Sequence, residues 1–319
     1  MDGKIGLEEH FAIAETLHDS KGFLGDAVWP ELESRLLDIQ EKRLRLMDAH
    51  GMELMLLSLN APAVQAIPDP ARAAEMARRA NDFLAREVAK RPQRFQGLAA
   101  LAMQDPDEAT RELRRCVREL GFRGALVNGF SQVRDPNSMV YLDDARHRGF
   151  WAELEKLDVP FYLHPRNPLP SAAQIYEGHP WLLGPTWAFG QETAVHALRL
   201  MASGLFDAHP RLKIILGHLG ESLPFSAWRI NMALSRGADK PSNFRDTFCE
   251  HFWITTSGNF STPALMCCIM EMGVDRILFS VDYPFVPNPP GTKWMADLPL
   301  SLEDRVKILS GNVKRLLRM

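Results

Sequence analysis

Cysteine is scarce in this sequence, and its spacing excludes several kinds of site. Four cysteines occur among 319 residues, at Cys116, Cys249, Cys267 and Cys268. They form no Cys-x-x-Cys pair, and none has the spacing of zinc-finger ligands. Such sparse, unpaired cysteines are typical of proteins in a reducing compartment, and we expect a cytoplasmic protein.

The sequence also lacks an excess of either charge and any long hydrophobic run. It has 37 Lys and Arg residues against 40 Asp and Glu, a net charge of -3. Because no basic face attracts phosphates, neither nucleic acid nor an anionic membrane is an expected partner. The longest apolar stretch, around residues 265–272, is too short to span a bilayer. Residues 1–4 lack the apolar run of a signal peptide, so we expect a soluble intracellular protein.

Short apolar segments alternate with helical patterns along the whole chain. Several helices are marked at their start, as at Asp69-Pro70 and Asp105-Pro106, where an N-cap precedes a proline at the first helical position. Eight strands are predicted, at residues 4–7, 53–59, 96–101, 124–127, 159–163, 213–216, 252–256 and 276–280. Hydrophobic residues at helical spacing predict one helix over about 33–50, and the last helix is expected over about 302–317.

The predicted strands are mostly apolar on both faces, which indicates burial on both sides. Parallel strands in α/β proteins have this character. Eight of them, each followed by a helix, predict a closed (β/α)8 barrel of the TIM type rather than an open sheet. No repeat, low-complexity segment or linker interrupts the pattern, so we expect one domain over residues 1–319.

Polar and ionisable residues follow the carboxyl ends of the predicted strands. In a barrel of this kind those ends meet on one face and form the active site. Glu8 and His10 are two residues apart on the first strand, so they share one face while Glu9 points the other way. The set at the strand ends is Glu8, His10, Asn128, His164, His218, Ser257 and Asp282.

Four of these residues form a mixed nitrogen and oxygen set that suits a divalent metal. They are Glu8, His10, His164 and Asp282. Such a set binds Zn²⁺ or Mn²⁺, and the sequence does not separate the two ions. Each residue also has an ordinary structural interpretation: His164 could be a hydrogen-bonded structural histidine, and Asp282 could cap a turn. His218 could pair with Glu221 at a helix start. The convergence of several strand ends favours the metal.

Several motifs resemble those of the metal-dependent aromatic decarboxylases of the amidohydrolase superfamily. The resemblance is carried by Leu7-Glu8-Glu9-His10 and by segments 162–168, 217–221, 255–260 and 280–285. Within that family, the Glu-Glu-His motif and segments 58–68 and 178–189 are similar to the decarboxylases of 2,6-dihydroxybenzoate (γ-resorcylate). Residues 286–299 depart from the family pattern, which leaves the pocket wall and the preferred ring substituents open.

The resemblance implies a homotetrameric enzyme with one Mn²⁺ or Zn²⁺ per subunit and no organic cofactor. The metal ligands would be Glu8, His10, His164 and Asp282. Other residues would surround the substrate, a small aromatic hydroxy acid. They are Asn128, His218, Glu221 and Arg229, with Phe23 and Phe285 near the ring. A neighbouring subunit could also contribute to the pocket.

The implied reaction is the reversible, non-oxidative decarboxylation of 2,6-dihydroxybenzoate to resorcinol and CO₂. Decarboxylation requires a proton on the ring carbon that bears the carboxylate. Asp282, bound to the metal or beside it, is the candidate donor, and His218 and Glu221 would relay or orient protons. The resemblance therefore implies a metal-dependent carboxy-lyase.

Other activities stay open at this point. The chain could act on 2,3-dihydroxybenzoate or salicylate, could be a hydrolase or lactonase on the same barrel, or could bind an aromatic acid without catalysis. Many hydrolases of the superfamily hold two metals bridged by a carboxylated lysine near the end of strand four. That strand ends here at Asn128 with no lysine nearby, which disfavours a dinuclear site.

Overall fold

Parallel strands form the centre of the molecule, in a computed structural model that describes residues 3–23, 25–236 and 243–319. The strands are β1 (Lys4–Phe11), β2 (Met52–Leu59), β3 (Phe95–Gly97), β4 (Ala125–Asn128), β5 (Ser131–Val133), β6 (Asp135–Val140), β7 (Phe161–His164), β8 (Ile214–Leu216), β9 (Phe252–Thr255) and β10 (Ile277–Leu278). β5 and β6 form a separate antiparallel hairpin.

The other strands in these ranges pair in parallel, β1-β2-β3 in one sheet and β4-β7-β8-β9-β10 in a second. A parallel bridge between Ala99 and Ala125 joins the two sheets at one side. At the other side the His10 N–H donates to the Tyr283 carbonyl over 2.6 Å. These links close a ring of eight parallel strands, so the predicted (β/α)8 barrel is confirmed.

Helices surround the strands, and two of them begin at the caps predicted from sequence. The Asp69 side chain accepts from the Arg72 N–H, and Asp105 accepts from the N–H groups of Asp107 and Glu108. The α-helices are α1 (Trp29–Leu37), α2 (Lys42–Ala49), α3 (Pro70–Lys90), α4 (Pro106–Arg118), α5 (Arg148–Leu157), α6 (Ala188–Ala202), α7 (Leu205–Ala208), α8 (Leu223–Leu234), α9 (Phe244–His251), α10 (Thr262–Met272), α11 (Asn288–Asp297), α12 (Leu302–Val306) and α13 (Asn312–Leu317). None of those described combines the length and the apolar character that a bilayer crossing needs.

Buried side chains inside the barrel explain why the strands are apolar on both faces. Ile5, Leu56, Leu126 and Ile215 form an inner cluster, and Leu316 of α13 packs against it. A larger cluster lies on the other face of the strands and includes residues of the surrounding helices. Full burial of one such side chain contributes about 1.5–3 kcal/mol, so both layers hold the ring together.

The sequence pattern is wrong about one helix and right about the last one. The single helix expected over 33–50 is divided into α1 and α2, because the Asp38 carboxylate accepts from the N–H groups of Glu41 and Arg43. These bonds satisfy backbone donors at the start of α2, so a new helix begins where the hydrophobic pattern continues. The helix expected over 302–317 is present as α12, a π-helical turn at Lys307–Gly311, and α13.

A break in the register of β1 brings two polar residues to the barrel interior. Ile5 and Leu7 lie in the inner cluster, so strict alternation would direct Glu9 inward as well. The pairing of β1 with β2 shifts between Gly6 and Glu9, as at a β-bulge. As a result Glu8 and His10 point inward, and Glu9 contacts the chain after β10.

Candidate active site

Three predicted ligands lie together at the carboxyl ends of β1 and β7. Glu8 and His10 are on β1, and His164 is the last residue of β7. Their ligand atoms all lie within 4.8 Å of one another, and all three residues are buried. Glu8 Oε1 is 3.3 Å from His164 Nε2 and 3.9 Å from His10 Nε2.

Asp282 and His218 complete the cluster from the segments that follow β10 and β8. Asp282 Oδ1 is 3.4 Å from His10 Nε2, and its Oδ2 is 3.9 Å from His218 Nε2. His218 Nε2 is also 3.7 Å from Glu8 Oε1. The four residues proposed as ligands from sequence therefore converge, with His218 beside them.

The donor atoms of this cluster fit a divalent metal. Glu8 Oε1 and His10 Nε2 are buried, and neither has a hydrogen-bond partner in the described part of the chain. A buried polar atom without a partner costs about 1–3 kcal/mol, and ligation of a cation would satisfy both of these atoms. Two carboxylates and two imidazoles are a suitable set for Mn²⁺ or Zn²⁺.

Burial and hydrogen bonding set the charges of the buried ligands. Burial raises the pKa of Glu8, but the positive charge of His218 and the neighbouring imidazoles of His10 and His164 hold it well below 4.5. Burial lowers the pKa of His164. Burial also lowers the pKa of His10, but the nearby carboxylates of Asp282 and Glu8 raise it to about 9. A proton on His10 thus lies between two carboxylates, where a bound metal would supply the positive charge instead.

His218, which is partly exposed, and the buried Glu221 form an acid–base pair beside the cluster. His218 Nδ1 is 2.7 Å from Glu221 Oε1. Burial lowers the pKa of His218, but the charges of Glu221 and Glu8 raise it well above 6.5. Burial raises the pKa of Glu221, which is the larger effect on that carboxyl. The pair can hold a proton between two atoms and pass it towards Asp282.

The turns that carry these residues have unusual backbone conformations. His218, Leu219 and Glu221 have φ values of +51°, +58° and +53°, and Asp282 has a φ of +75°. Residues other than glycine rarely adopt positive φ, and such strain of about 1–3 kcal/mol per residue concentrates at functional sites. The fold holds His218, Glu221 and Asp282 in place at this cost.

A small hollow opens next to the cluster. Its volume is about 160 Å³, and it adjoins an outer hollow of about 310 Å³. His164, His218 and Asp282 form its polar side. The apolar side is formed by Ala61, Pro185, Phe189, Phe285 and Val286. A polar floor with apolar walls suits a ring that carries a carboxylate.

The other predicted substrate residues are placed differently. The Phe285 ring lines the hollow with its centroid 5.5 Å from that of His10. The Asn128 amide donates to the carbonyls of Asn60 and Pro62, and the lining of the described hollow does not include it. Arg229 is exposed on α8, outside that lining. The Phe23 side chain lies outside the part of the chain that the structure describes.

Sequence reasoning missed a group of buried residues behind the ligands. The Tyr162 hydroxyl donates to Glu8 Oε2, and Thr255 Oγ1 donates to the same oxygen over 3.2 Å. Ser58 Oγ is 3.2 Å from His10 Nδ1. A signal existed for Tyr162, which is two residues before His164 and therefore shares its face of the strand.

Glu9 is a second missed residue, and it supports Asp282. Its buried carboxylate accepts from Ser280 Oγ at 2.8 Å, the Val281 N–H at 3.2 Å and the Tyr283 N–H at 2.9 Å. These donors lie on both sides of Asp282 in the chain. A Cβ at Gly6 would lie only 2.2 Å from Glu9 Oε1, so glycine makes room for this carboxylate.

Comparisons with known proteins agree with this geometry. The family model described as Amidohydrolase matches residues 25–319. The γ-resorcylate decarboxylase of Rhizobium radiobacter is 61% identical over 324 residues, which cover 100% of this chain and 99% of that protein. The crystal structure of a 2,6-dihydroxybenzoate decarboxylase complexed with 2,6-dihydroxybenzoate has a TM-score of 0.97 at 61% identity and covers 100% of both chains.

A second solved structure contains a metal. It is a dihydroxybenzoic acid decarboxylase from Polaromonas sp. JS666 with bound manganese and the inhibitor 2-nitroresorcinol. It is 61% identical, with a TM-score of 0.96 over 100% of this chain and 97% of that one. By its family match and its identity over the full length, the chain belongs to the amidohydrolase family, in the group of the γ-resorcylate decarboxylases.

Proposed function

We propose that this protein catalyses the non-oxidative decarboxylation of 2,6-dihydroxybenzoate to resorcinol and CO₂. The observation that carries the proposal is the buried Glu-His-His cluster beside Asp282, at the polar side of a hollow with apolar walls. Relatives that are 61% identical over the whole chain are decarboxylases of this acid. The reaction is reversible and transfers no electrons to a carrier, so it needs no organic cofactor.

Glu8, His10, His164 and Asp282 would hold one divalent ion per subunit. We propose Mn²⁺, with Zn²⁺ as the alternative, because the set contains equal numbers of oxygen and nitrogen donors. When bound, the ion supplies Lewis acidity that binds the substrate carboxylate and the adjacent phenolic oxygen together. Within the described ranges, Glu8, His10 and His164 are the only group of three or more such donors. A single group supports a site for one metal rather than the two-metal site of a dinuclear hydrolase.

Asp282 is the proposed proton donor. Its Oδ2 would transfer a proton to the ring carbon that bears the carboxylate, where the phenolate places electron density. The bond from that carbon to the carboxylate then breaks, its electron pair restores the aromatic ring, and CO₂ leaves. Asp282 is thus left deprotonated, and each turnover consumes one proton.

His218 and Glu221 would return the proton to Asp282. His218 Nε2 is 3.9 Å from Asp282 Oδ2, and its Nδ1 is 2.7 Å from Glu221 Oε1. The first distance is too long for a direct hydrogen bond, so a proton would pass from Glu221 to the imidazole directly and from the imidazole to Asp282 through a bridging water. The side chain of His218 is 23% exposed, so it also connects the site with solvent.

The hollow limits the substrate to a single ring. Its 160 Å³ is small beside the ~300–1,000 Å³ of most ligand pockets. Phe285, Phe189 and Pro185 would contact the ring faces and exclude water from the reacting carbon. Val286, the first residue of the segment that departs from the family pattern, lines the same hollow and would set the size of the ring substituents.

We further propose a homotetramer in the cytoplasm, in which Arg229 contacts the substrate of a neighbouring subunit. The support is the resemblance of the motifs and the exposed apolar face of α8. Phe225 and Trp228 are 84% and 69% exposed beside Arg229, and a second copy of the chain would cover them. Light scattering of the purified protein tests this; a monomeric, fully active enzyme would contradict it.

Comparison of three acids tests the proposed activity. Metal-replete protein is incubated with 2,6-dihydroxybenzoate, 2,3-dihydroxybenzoate or salicylate, and the phenolic product is quantified by chromatography. We expect 2,6-dihydroxybenzoate to give the highest kcat/KM, with resorcinol as its product. Equal or faster turnover of either other acid would overturn the assignment of the substrate, and hydrolysis of an ester or lactone without CO₂ release would overturn the reaction class.

A further inference from the structure

The two oxygens of the Glu8 carboxylate have different surroundings. Oε2 accepts hydrogen bonds from Tyr162 and Thr255. Oε1 has no hydrogen-bond partner in the described ranges and lies 3.3–3.9 Å from the Nε2 atoms of His164, His218 and His10. One oxygen is thus held by protein donors, and the other is directed at the proposed metal position.

The two hydroxyl donors come from two other strands of the ring, β7 opposite β1 and β9 two strands away from it. Tyr162 is on β7 and Thr255 is the last residue of β9. Both residues are completely buried, and their oxygens are 3.0 Å apart. A Cβ at Gly217 would lie 2.9 Å from Glu8 Oε2 and 3.3 Å from the Tyr162 hydroxyl, so glycine leaves the space that this arrangement fills.

A carboxylate can bind a metal through one oxygen or through both, and these modes differ in the positions left for substrate. Hydrogen bonds to one oxygen occupy its lone pairs and fix the plane of the carboxylate. With Oε2 engaged by two hydroxyls, Glu8 can offer only Oε1 to an ion.

We propose that Tyr162 and Thr255 are positioning residues that keep Glu8 as a one-oxygen metal ligand. This inference rests on the proposed function in so far as that function requires the ion. The hydroxyls hold the carboxylate plane and so preserve metal positions for the carboxylate and phenolic oxygen of the substrate. Their loss lets Glu8 rotate or bind through both oxygens, which weakens metal binding and removes a position for substrate.

Two pairs of variants separate this role from simple packing. Tyr162→Phe removes the hydroxyl and keeps the ring, and its matched control is Tyr283→Phe. Tyr283 is also completely buried, but its hydroxyl has no hydrogen-bond partner within the described residues. Thr255→Val removes the second hydroxyl at nearly constant volume, and Thr255→Ser restores it.

The measurement is Mn²⁺ binding to each purified, metal-stripped protein without substrate. Competition with a chelator gives the affinity, and electron paramagnetic resonance of the bound ion reports its ligand geometry. We expect Tyr162→Phe and Thr255→Val to bind Mn²⁺ about 10–100-fold more weakly with altered spectra. Tyr283→Phe and Thr255→Ser should match the unaltered protein. If Tyr162→Phe does not fold, the two Thr255 variants decide the outcome.

The outcomes distinguish this inference from the proposed function. Unchanged affinity and spectrum in Tyr162→Phe and Thr255→Val would overturn the positioning role, even if the unaltered protein decarboxylates 2,6-dihydroxybenzoate. An equal loss in Tyr283→Phe would also overturn it, because the loss would then reflect packing. An unaltered protein that binds Mn²⁺ but releases no CO₂ would overturn the proposed function alone.

Discussion

Replacement of Glu9 by glutamine tests how the fold supports Asp282. The Glu9 carboxylate is completely buried and accepts three hydrogen bonds, from Ser280 Oγ and from the N–H groups of Val281 and Tyr283. Glutamine has nearly the same shape, but one of its terminal atoms is a donor. At least one of the three donors must therefore lose its acceptor.

The structure sets the size of the expected effect. A buried donor without an acceptor costs about 1–3 kcal/mol, so Glu9→Gln should lower the free energy of unfolding by about 1–3 kcal/mol for each donor that loses its acceptor. The affected N–H groups belong to the residues on either side of Asp282, whose φ of +75° needs external support. We therefore expect turnover to fall about 10-fold or more, the usual effect of losing a group that holds a metal ligand.

Urea unfolding of the metal-free protein and steady-state kinetics of the metal-replete protein measure these two effects. Burial raises the pKa of Glu9 to about 7, so the comparison is made above that pH, where the carboxylate is ionised. The matched control is Glu112→Gln. Glu112 is buried on α4, outside the described hollows at the strand ends, and accepts from Asn81 and Arg115.

The control separates stability from positioning. Glu112→Gln should lose stability while it keeps the metal affinity and turnover of the unaltered protein. If both variants lose turnover in proportion to stability, Glu9 has no specific role at the site. If Glu9→Gln loses neither stability nor turnover, the three hydrogen bonds do not support Asp282.

Three further predictions follow from named groups. Asp282→Asn should bind metal and a substrate analogue but turn over at least ~100-fold more slowly, because it removes the proton donor; near-normal turnover would assign that role to His218. His164→Ala should lose both bound metal, by elemental analysis, and activity, and an active metal-free variant would refute the metal requirement. The His196 ring accepts a hydrogen bond from the Leu142 N–H, and burial lowers its pKa from 6.5 to about 3. The folded protein therefore keeps this ring neutral, so its contribution to the stability of the fold is complete above pH 6.5 and is lost as the pH falls from 6.5 towards 3. Between pH 7 and pH 5 the free energy of unfolding of the unaltered protein should fall by about 2 kcal/mol more than that of His196→Gln. Equal losses in the two proteins would contradict this pKa.

The barrel and most of its metal site could be predicted because strand ends are local features. An apolar segment followed by a histidine or an acidic residue is visible in a short window, and the barrel rule brings such ends to one face. His164 and Asp282 are examples, and the structure places both beside His10. The resemblance of the motifs added the substrate class, which spacing alone does not contain.

The supporting contacts could not be predicted because they join residues far apart in the chain. Glu9 meets Ser280 across 271 positions, and Thr255 meets Glu8 across 247. The face that Glu8 occupies depends on the register shift after Gly6, and simple alternation does not contain that shift. The break between α1 and α2 was missed because one carboxylate, that of Asp38, outweighs a continuous hydrophobic pattern.

Some expectations stay predictions. The single domain over residues 1–319 and the roles of Asn128, Arg229 and Phe23 rest on sequence. The Asn128 amide donates to the Pro62 carbonyl and so holds that segment, which suits a role in supporting a wall of the pocket. Light scattering and variants of Arg229 address the part that a neighbouring subunit would play.

The most direct test of the central claim follows the carboxyl carbon and the ring proton in one reaction. Metal-replete protein is given 2,6-dihydroxybenzoate labelled with ¹³C in its carboxyl group, in D₂O, and the gas and the phenol are analysed by mass spectrometry. The account predicts one ¹³CO₂ for each resorcinol, one deuterium at the carbon that bore the carboxylate, and no reaction after the metal is removed. Product without ¹³CO₂, or full activity in metal-free protein, would contradict it.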